Sequence, residues 1–297
     1  MIINRANLDI LFTGYQTAFN AGFDGPAADY HGLVMEVNST TAVEQYGWLG
    51  SSSVFREWVG DRVLQNLSLH DYSIKNKSFE NTVVVSRDAI EDGSFGIFTP
   101  LMKDLGQKAS AHPSVLVWNL MKSGFTEKCY DGQPMFDTDH PVTDENDVEQ
   151  SVSNYQAGGG RAWFLVDESQ ALKPIIKQNR RPYTFAMLDK ESDENVVMRR
   201  EYIYGVDARL NVGFGLWQLA YASKAAVDAT NFNAMYAAMQ STKGDGGSLL
   251  GIQPTTLYCA PADRAAALEV VKAERLANGA TNINRDVVKV VSTPWLA

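Results

Sequence analysis

Residues Cys129–Pro141, CYDGQPMFDTDHP, carry the side chains most suited to chemistry. One thiol, three aspartates and a histidine fall within twelve positions of a chain that has only four His and two Cys. Such groups bind divalent metals or transfer protons, so a metal-dependent hydrolase centred on Asp137, Asp139 and His140 is one hypothesis. The spacing does not support it. No histidine is followed two positions later by an acid, and no HExxH pair is present, so zinc or iron would need a distant histidine.

The same stretch has the chemistry of a turn. An Asp-Gly signal opens it at Asp131, and Pro141 favours an extended backbone at His140. In an extended segment Asp137 and Asp139 share one face, while His140 points to the other. Asp and His are also common turn residues because they bond to nearby backbone amides. The stretch therefore favours a structural role over a metal or catalytic site.

The composition is that of a globular protein with one large or two ordinary domains. Of the 297 residues, 45% are hydrophobic and 21% are charged. No run approaches the ~18 apolar residues that span a bilayer, and the first residues lack the features of a secretory signal. Cys129 and Cys259 lie far apart without a CxxC pair, which indicates a reducing compartment. The net charge of -9 argues against a protein whose main task is to grip phosphates, but it allows a container wall that faces nucleic acid.

Other catalytic motifs are absent from the sequence. There is no G-x-S-x-G nucleophile elbow and no Walker A loop. The glycines at Gly213 and Gly215 begin like a dinucleotide fingerprint but lack its third glycine. The acidic runs TDENDVE and LDKESDEN are typical of solvated loops. The sequence therefore predicts no catalytic residue, no cofactor and no metal.

Residues 5–22 are predicted to form an amphipathic helix. Apolar residues recur at helical spacing, and the pattern stops at Gly22. They are Leu8, Leu11, Phe12, Tyr15 and Phe19. Because the helix precedes the first core-like segment, it has no obvious partner within the chain. Two arrangements stay open: the helix packs on its own domain, or it lies as an arm on a neighbouring subunit.

Residues 61–87 change to the alternating pattern of extended strands. The alternating pairs are Leu67 and Leu69, Tyr72 and Ile74, and Val83 and Val85. Between them the polar IKNKSFEN suits a hairpin tip that exposes Lys75, Asn76 and Lys77. An isolated hairpin is marginal in water, so we expect residues 70–80 to be mobile until a neighbour covers them. No Lys–Asn isopeptide is predicted, because both residue types are ordinary in an exposed turn.

A long helix is predicted from Thr99 to Gly124. Thr99-Pro100 is a favourable start, with a possible Thr cap and Pro at the first helical position. The apolar stripe consists of Leu101, Leu105, Ala109, His112, Leu116 and Leu120. Pro113 should kink the helix or split it after His112. His112 itself is predicted to be packed or hydrogen-bonded rather than a ligand.

The last third of the chain predicts a compact α+β lobe. NFNAMYAAMQ is a helix whose buried face carries Phe232, Met235, Tyr236 and Met239. PTTLYCA follows as a short strand. A second helix is predicted from Pro261 to Gly279, and DVVKVVSTP is the final strand.

Three longer stretches make the chain resemble the major head subunits of Mu-like tailed phages. They are YSIKNKSFENTVVVSRDAIEDG (Tyr72–Gly93), CYDGQPMFDTDHPV (Cys129–Val142) and YGVDARLNVGFGLWQLAYASK (Tyr204–Lys224). The resemblance covers essentially the whole chain, although Lys177 stands where an acidic or small residue is expected. It implies the Hong Kong 97-type capsid fold, which is α+β. The divisions it implies are an N-terminal arm at 1–46, an E-loop hairpin at 47–94, a peripheral domain with a spine helix at 95–221, and an axial domain with the final strand at 222–297.

The resemblance implies a structural protein, not an enzyme, that self-assembles into an icosahedral shell around double-stranded DNA. Hexamers and pentamers of the chain would form this virion capsid in the cytoplasm of the host bacterium. The implied partners are a separate scaffold protein, a protease that removes it, a portal protein and DNA packaged without sequence specificity; no membrane is expected. A fused scaffold is not expected, because the predicted helix begins close to residue 1. The predicted assembly contacts are Leu8, Leu11, Phe12, Tyr15, Phe19, Tyr72, Ile74, Lys75, Asn76 and Lys77.

Three other interpretations stay open. An encapsulin-like shell would share the fold but enclose a protein cargo. A metal-dependent hydrolase would use Asp137, Asp139 and His140. A binding module, such as a tail or decoration protein, would stay small when expressed with a scaffold.

Overall fold

The computed structural model describes residues 3–25, 29–49, 72–190, 192–276 and 279–297. Up to residue 152 the elements are α1 (Arg5–Phe23), β1 (Val34–Asn38), β2 (Val43–Gln45), β3 (Ser73–Lys75), β4 (Lys77–Ser86), α2 (Arg87–Glu91), α3 (Thr99–Ser123), β5 (His140–Thr143) and β6 (Glu149–Val152). Beyond it they are β7 (Tyr155–Gln156), β8 (Trp163–Val166), β9 (Ile175–Leu188), α4 (Glu194–Arg199), β10 (Glu201–Phe214), β11 (Ala220–Ser223), α5 (Ala229–Gln240), β12 (Thr256–Cys259), α6 (Arg264–Lys272) and β13 (Lys289–Ser292). Of the helices in these ranges, none is both long and apolar enough to cross a membrane.

The first lobe is built on a four-stranded sheet in the order β1-β9-β10-β4. β9 and β10 are 14 residues long and pair antiparallel as a hairpin. β1 runs parallel to β9, and β4 runs antiparallel to β10. Alternate residues of β10 are buried from Tyr202 to Leu210, which is the period of a strand with one covered face. β4 is the last strand, so its outer edge has no strand partner among the described residues.

Helices α1 and α3 cover the buried face of this sheet. Asn4 caps α1, because its side-chain oxygen accepts a hydrogen bond of 2.9 Å from the backbone amide three residues on. The helices come into backbone contact where Gly22 meets Lys103 and where Gly106 meets Phe19. A Cβ atom at either glycine would lie 2.1 Å from a backbone oxygen of the other helix. The two glycines therefore set the distance between α1 and α3.

The second lobe is built on a five-stranded sheet in the order β13-β12-β8-β11-β7. Every residue of β8, β11 and β12 is buried, as expected of strands covered on both faces. Phe232 and Met235 of α5 and Val271 of α6 cover one face. The second half of α3 covers the other, where Trp118 packs on Tyr258 with ring centroids 5.1 Å apart.

α3 is shared by both lobes, because its first half lies in the core of one and its second half in the core of the other. The helix continues through Pro113 without a split. An interior proline costs about 3 kcal/mol, which burial along the helix offsets here. Leu105 and Ala109 are buried as predicted, but Leu101 is exposed and Met102 takes its place in the core. Leu116 and Leu120 are likewise only half-buried, whereas Val117 and Met121 are fully buried, so the buried stripe is displaced by one residue at both ends.

The C-terminal region differs from the sequence prediction in two places. α6 ends at Lys272 rather than near Gly279. The side-chain amide of Asn282 donates to the carbonyl oxygens of Val270 at 2.9 Å and Ala273 at 3.0 Å, and so ends the helix. The expected division between residues 221 and 222 would cut β11, whose sheet also contains β7 and β8. The second lobe is therefore not one continuous segment of the chain.

Gly106→Ala should destabilise the unassembled subunit by about 1–3 kcal/mol, the usual cost of overpacking, because the added methyl group would meet the carbonyl oxygen of Phe19. Gly14→Ala is the matched control in α1, since no atom lies within 4 Å of its added Cβ. Alanine is the better helix former, so the control should gain up to ~1 kcal/mol. Thermal unfolding measures both. Equal melting temperatures would contradict the backbone contact between the helices.

Candidate assembly surfaces and a buried polar cluster

The predicted assembly contacts on α1 are covered by the chain itself. Leu8, Leu11, Tyr15 and Phe19 are buried in the core of the first lobe. Phe12 is half-buried, and its ring stacks on that of Phe185 at a centroid distance of 5.6 Å. Of the two arrangements left open for this helix, the structure has the first, because α3 and the four-stranded sheet cover it within its own chain. In this conformation its apolar face is not available to a neighbouring subunit.

Lys75 and Lys77 do not flank a hairpin tip. β3 pairs with β2 and β4 pairs with β10, so the chain passes from one sheet to another between the two lysines. Asn76 lies at this crossing and is buried. Its side-chain amide donates to Ser39 Oγ at 2.8 Å and to the carbonyl oxygen of Thr41 at 2.9 Å. The predicted exposure of Asn76 is therefore wrong, while the lysines on either side are exposed.

Tyr72 and Ile74, expected to lie uncovered before assembly, also pack inside the chain. Ile74 is only 3% exposed and belongs to a core cluster to which strands of both sheets contribute. The backbone amide of Phe214 in β10 donates to the hydroxyl oxygen of Tyr72 at 2.6 Å. This part of the expected E-loop is thus attached to its own subunit. Leu67 and Leu69, in the first predicted strand, lie outside the described residues.

The open face of the four-stranded sheet carries an apolar patch near the end of the β9–β10 hairpin. Ile203 of β10 pairs with Val84 of β4 on one side and with Leu188 of β9 on the other. Val84 is 47% exposed and Leu188 is 51% exposed. In the connection between β9 and β10, α4 exposes Val197 and Met198. Exposed apolar residues grouped at one end of a sheet mark protein interaction surfaces, and we call these five the hairpin-end patch.

The 129–141 stretch forms a hydrogen-bonded turn after α3, as the sequence predicted. Asp131 organises it, because its Oδ1 accepts hydrogen bonds of 3.0 Å from both the thiol of Cys129 and the backbone amide of Gln133. Gly132 has a φ of 86°, in the left-handed region that favours glycine. The turn therefore depends on both Asp131 and Gly132.

His140 lies fully buried at the start of β5. Its Nδ1 is 2.7 Å from Asp131 Oδ2, and its Nε2 is 3.2 Å from Asn154 Oδ1. The ring stacks on Trp217 with centroids 4.0 Å apart and an interplanar angle of 9°. Sequence reasoning missed Asn154, because a lone asparagine between two short strands has no pattern that separates it from a surface residue.

Cys129, Asp131 and His140 form the group of ligand atoms, within 4.8 Å of one another, that could hold a metal ion in the described part of the chain. These atoms are already hydrogen-bonded among themselves. Burial raises the pKa of the Cys129 thiol, which disfavours the thiolate that a metal binds. Burial also acts to raise the pKa of Asp131, but hydrogen bonds from His140 and Cys129 outweigh it and hold that pKa below its usual value. The donor set fits a hydrogen-bonded cluster better than a metal site.

The two other residues of the hydrolase hypothesis lie outside this cluster. Asp137 Oδ1 accepts a hydrogen bond of 2.7 Å from the backbone amide of Thr138. Asp139 accepts a hydrogen bond from the hydroxyl group of Ser151. Their carboxylates thus hold local backbone and side-chain geometry, and they do not converge with His140 on one catalytic point.

Comparison with known proteins identifies the family of the chain that carries these surfaces. The family model for the Mu-like prophage major head subunit gpT matches residues 8–296. The chain belongs to this family. Its relatives in the gpT family include the major capsid protein of Escherichia phage Mu, which is 36% identical over 293 residues, covering 97% of the chain and 96% of that protein. The major head subunit of the Mu-like prophage FluMu of Haemophilus influenzae is 38% identical over 283 residues, covering 93% of the chain and 92% of that protein.

Solved structures place the gpT-family chain in the Hong Kong 97-type capsid fold. A chain of the bacteriophage JBD30 procapsid matches with a TM-score of 0.88 and 44% identity, over 99% of this chain and 100% of that one. A chain of the JBD30 capsid matches with a TM-score of 0.80 and 33% identity, over 100% of both. The expected α+β capsid fold and the role of major head protein are therefore confirmed.

Trypsin should cut slowly at Lys75 and Lys77 in the unassembled subunit, because Asn76 fixes the crossing between β3 and β4. Asn76→Ala removes two hydrogen bonds of a buried side chain, worth about 1–3 kcal/mol, so cleavage should become roughly 5- to 150-fold faster. Asn81→Ala, at an exposed asparagine of β4, is the control and should change little. Mass spectrometry of the fragments locates the cuts. Rapid cleavage at either lysine in the unassembled wild type would restore the original expectation of a mobile 70–80 segment.

Proposed function

We propose that copies of the chain form the hexamers and pentamers of an icosahedral shell that encloses double-stranded DNA, without catalysis by the chain itself. The supporting observation is its likeness, over nearly the whole length, to chains of both the procapsid and the capsid of JBD30. The net charge of -9 fits this role, because a basic wall would bind the genome and impede its movement during packaging. A separate scaffold, a maturation protease and a portal protein would act with it in the host cytoplasm.

We further propose that the hairpin-end patch contacts a second copy of the chain. The apolar face of α1 is used up inside the subunit, whereas Val84, Leu188 and Met198 stay exposed at one end of the first lobe. Burial of such side chains contributes roughly 25 cal/mol per Å² of apolar surface removed from water. Repeated in every subunit of a closed shell, a weak contact adds up through multivalency. Lys75 and Lys77 are exposed and remain candidates for contacts with a neighbour.

Leu188→Lys tests this patch. The side chain is half exposed, so the subunit should fold with an almost unchanged melting temperature, while a charge buried between subunits should reduce the yield of closed shells at least about tenfold. Thr184→Lys is the matched control, because Thr184 lies four residues away on the same strand and face and pairs with Asp207 in a polar row. Electron microscopy of particles made with the scaffold counts the shells. A normal yield from Leu188→Lys would exclude the patch as a contact.

The contents of the particles test the enclosed cargo. Shells purified from cells that also supply the packaging machinery should contain DNA that resists added nuclease. Shells that contain no nuclease-resistant DNA but carry a foreign protein in stoichiometric amount would favour the encapsulin-like alternative. Subunits that stay small with their scaffold present would favour a tail or decoration protein.

A further inference from the structure

The orientation of the Asn154 side chain is fixed by its partners. Its Nδ2 donates to the carbonyl oxygens of Met135 at 2.8 Å and Ala220 at 3.1 Å, with that of Trp217 at 3.4 Å. Its Oδ1 accepts a hydrogen bond of 2.9 Å from the backbone amide of Asp137. A flipped amide would set oxygen against carbonyl oxygens and nitrogen against an N–H group. The atom that faces the ring of His140 is therefore an oxygen, which has no hydrogen to donate.

The second ring nitrogen of His140, Nδ1, also faces an acceptor. Asp131 Oδ2 lies 2.7 Å from His140 Nδ1. Asp131 Oδ1 accepts from the thiol of Cys129 and from the amide of Gln133, so both carboxylate oxygens are used as acceptors. Although burial acts to raise the pKa of Asp131, the hydrogen bonds it receives hold that pKa below its usual value, and the group is a carboxylate at neutral pH.

A neutral imidazole carries one N–H group, and its second nitrogen is an acceptor. In this site a neutral ring would set that lone pair against an oxygen, either of Asp131 or of Asn154. We propose that His140 is a doubly protonated imidazolium at neutral pH, forming a buried ion pair with Asp131 and donating its second N–H to Asn154. The indole of Trp217, parallel to the ring at 4.0 Å, adds a cation–π contact that favours the charged form.

The ion pair attaches separate parts of the chain to one another in a pH-dependent way. Asp131 belongs to the turn after α3, His140 to β5, Asn154 to the link before β7, and Trp217 to the short helical turn before β11. The groups that face the ring from these elements are one carboxylate, one amide oxygen and one indole, with the neutral thiol of Cys129 on the far side of the carboxylate. Loss of the proton would therefore break one attachment and leave the Asp131 charge without its partner.

The sign of the pH effect follows from proton linkage. The hydrogen bonds from the ring to Asp131 and Asn154 stabilise the folded subunit only while both ring nitrogens keep their protons, so stability is lost as rising pH removes one of them. Histidines buried as neutral rings give the opposite dependence. His112 is such a case, because burial lowers its pKa, and its Nδ1 is 2.6 Å from the hydroxyl oxygen of Tyr183.

Nuclear magnetic resonance of the full subunit labelled with ¹⁵N-histidine tests the protonation state. Long-range ¹H–¹⁵N spectra at pH 7.5 should show two protonated ring nitrogens for His140 and one for His112. Loss of signals in His140→Gln and His112→Gln assigns the two rings. An unprotonated ring nitrogen in His140 at this pH would overturn the proposal.

Thermal unfolding between pH 6.5 and 9 provides a second readout. The wild-type melting temperature should fall across this range, and His112→Gln should follow it. His140→Gln should have a lower melting temperature at pH 6.5 but a much smaller decrease with pH. The same pH dependence in His140→Gln as in the wild type would overturn the proposal. If that variant does not fold, the His140 signals are assigned as those that survive in His31→Gln, His70→Gln and His112→Gln, and the spectra test the proposal alone.

Discussion

Backbone contact between α1 and α3 is the constraint on which the rest of the subunit depends. Gly22 and Gly106 let the helices approach until no side chain fits between them, and this pair then covers the four-stranded sheet as one layer. α3 carries the resulting geometry into the second lobe, where Trp118 lies against the five-stranded sheet. A single helix therefore contributes side chains to both cores.

The distribution of apolar side chains explains how a shell protein can be stable before assembly. The apolar faces on α1 and around Ile74, which the sequence assigned to contacts with neighbouring subunits, are buried inside the subunit itself. Among the described residues, the hairpin-end patch stays exposed. The described part of the subunit therefore has its own cores before assembly, and the contacts between subunits can be individually weak while the closed shell remains stable.

Local periodicity predicted much of the secondary structure. The helical spacing in α1 and α5 and the alternation of Val83 and Val85 in β4 depend on neighbouring residues, so they can be read from short windows. The motif resemblance supplied the fold itself. Pairing across long separations could not be read in this way: β3 pairs with β2, which precedes it by some thirty residues, rather than with the adjacent β4.

Buried polar residues were equally hidden from the sequence. Asn154 holds three carbonyl groups from two distant segments, and Asn282 ends α6 from ten residues beyond its last turn. Neither residue belongs to a pattern, because an asparagine that satisfies a buried backbone is identical in sequence to one on the surface. The aspartate and histidine of the 129–141 turn were visible only because their residue types are rare together.

The position of β4 has a consequence for the kinetics of particle formation. Its ten residues pair with β10 in unbroken register and contain no proline, and no strand among the described residues covers its outer edge, which presents a row of hydrogen-bonding groups there. The free edge of β9, by contrast, is interrupted by Arg180, Arg181 and Pro182. An unassembled subunit thus exposes a strand edge with which another strand can pair. Aggregation through this edge competes with shell growth for the same free subunits. Rapid incorporation into a growing particle is itself the protection against that loss.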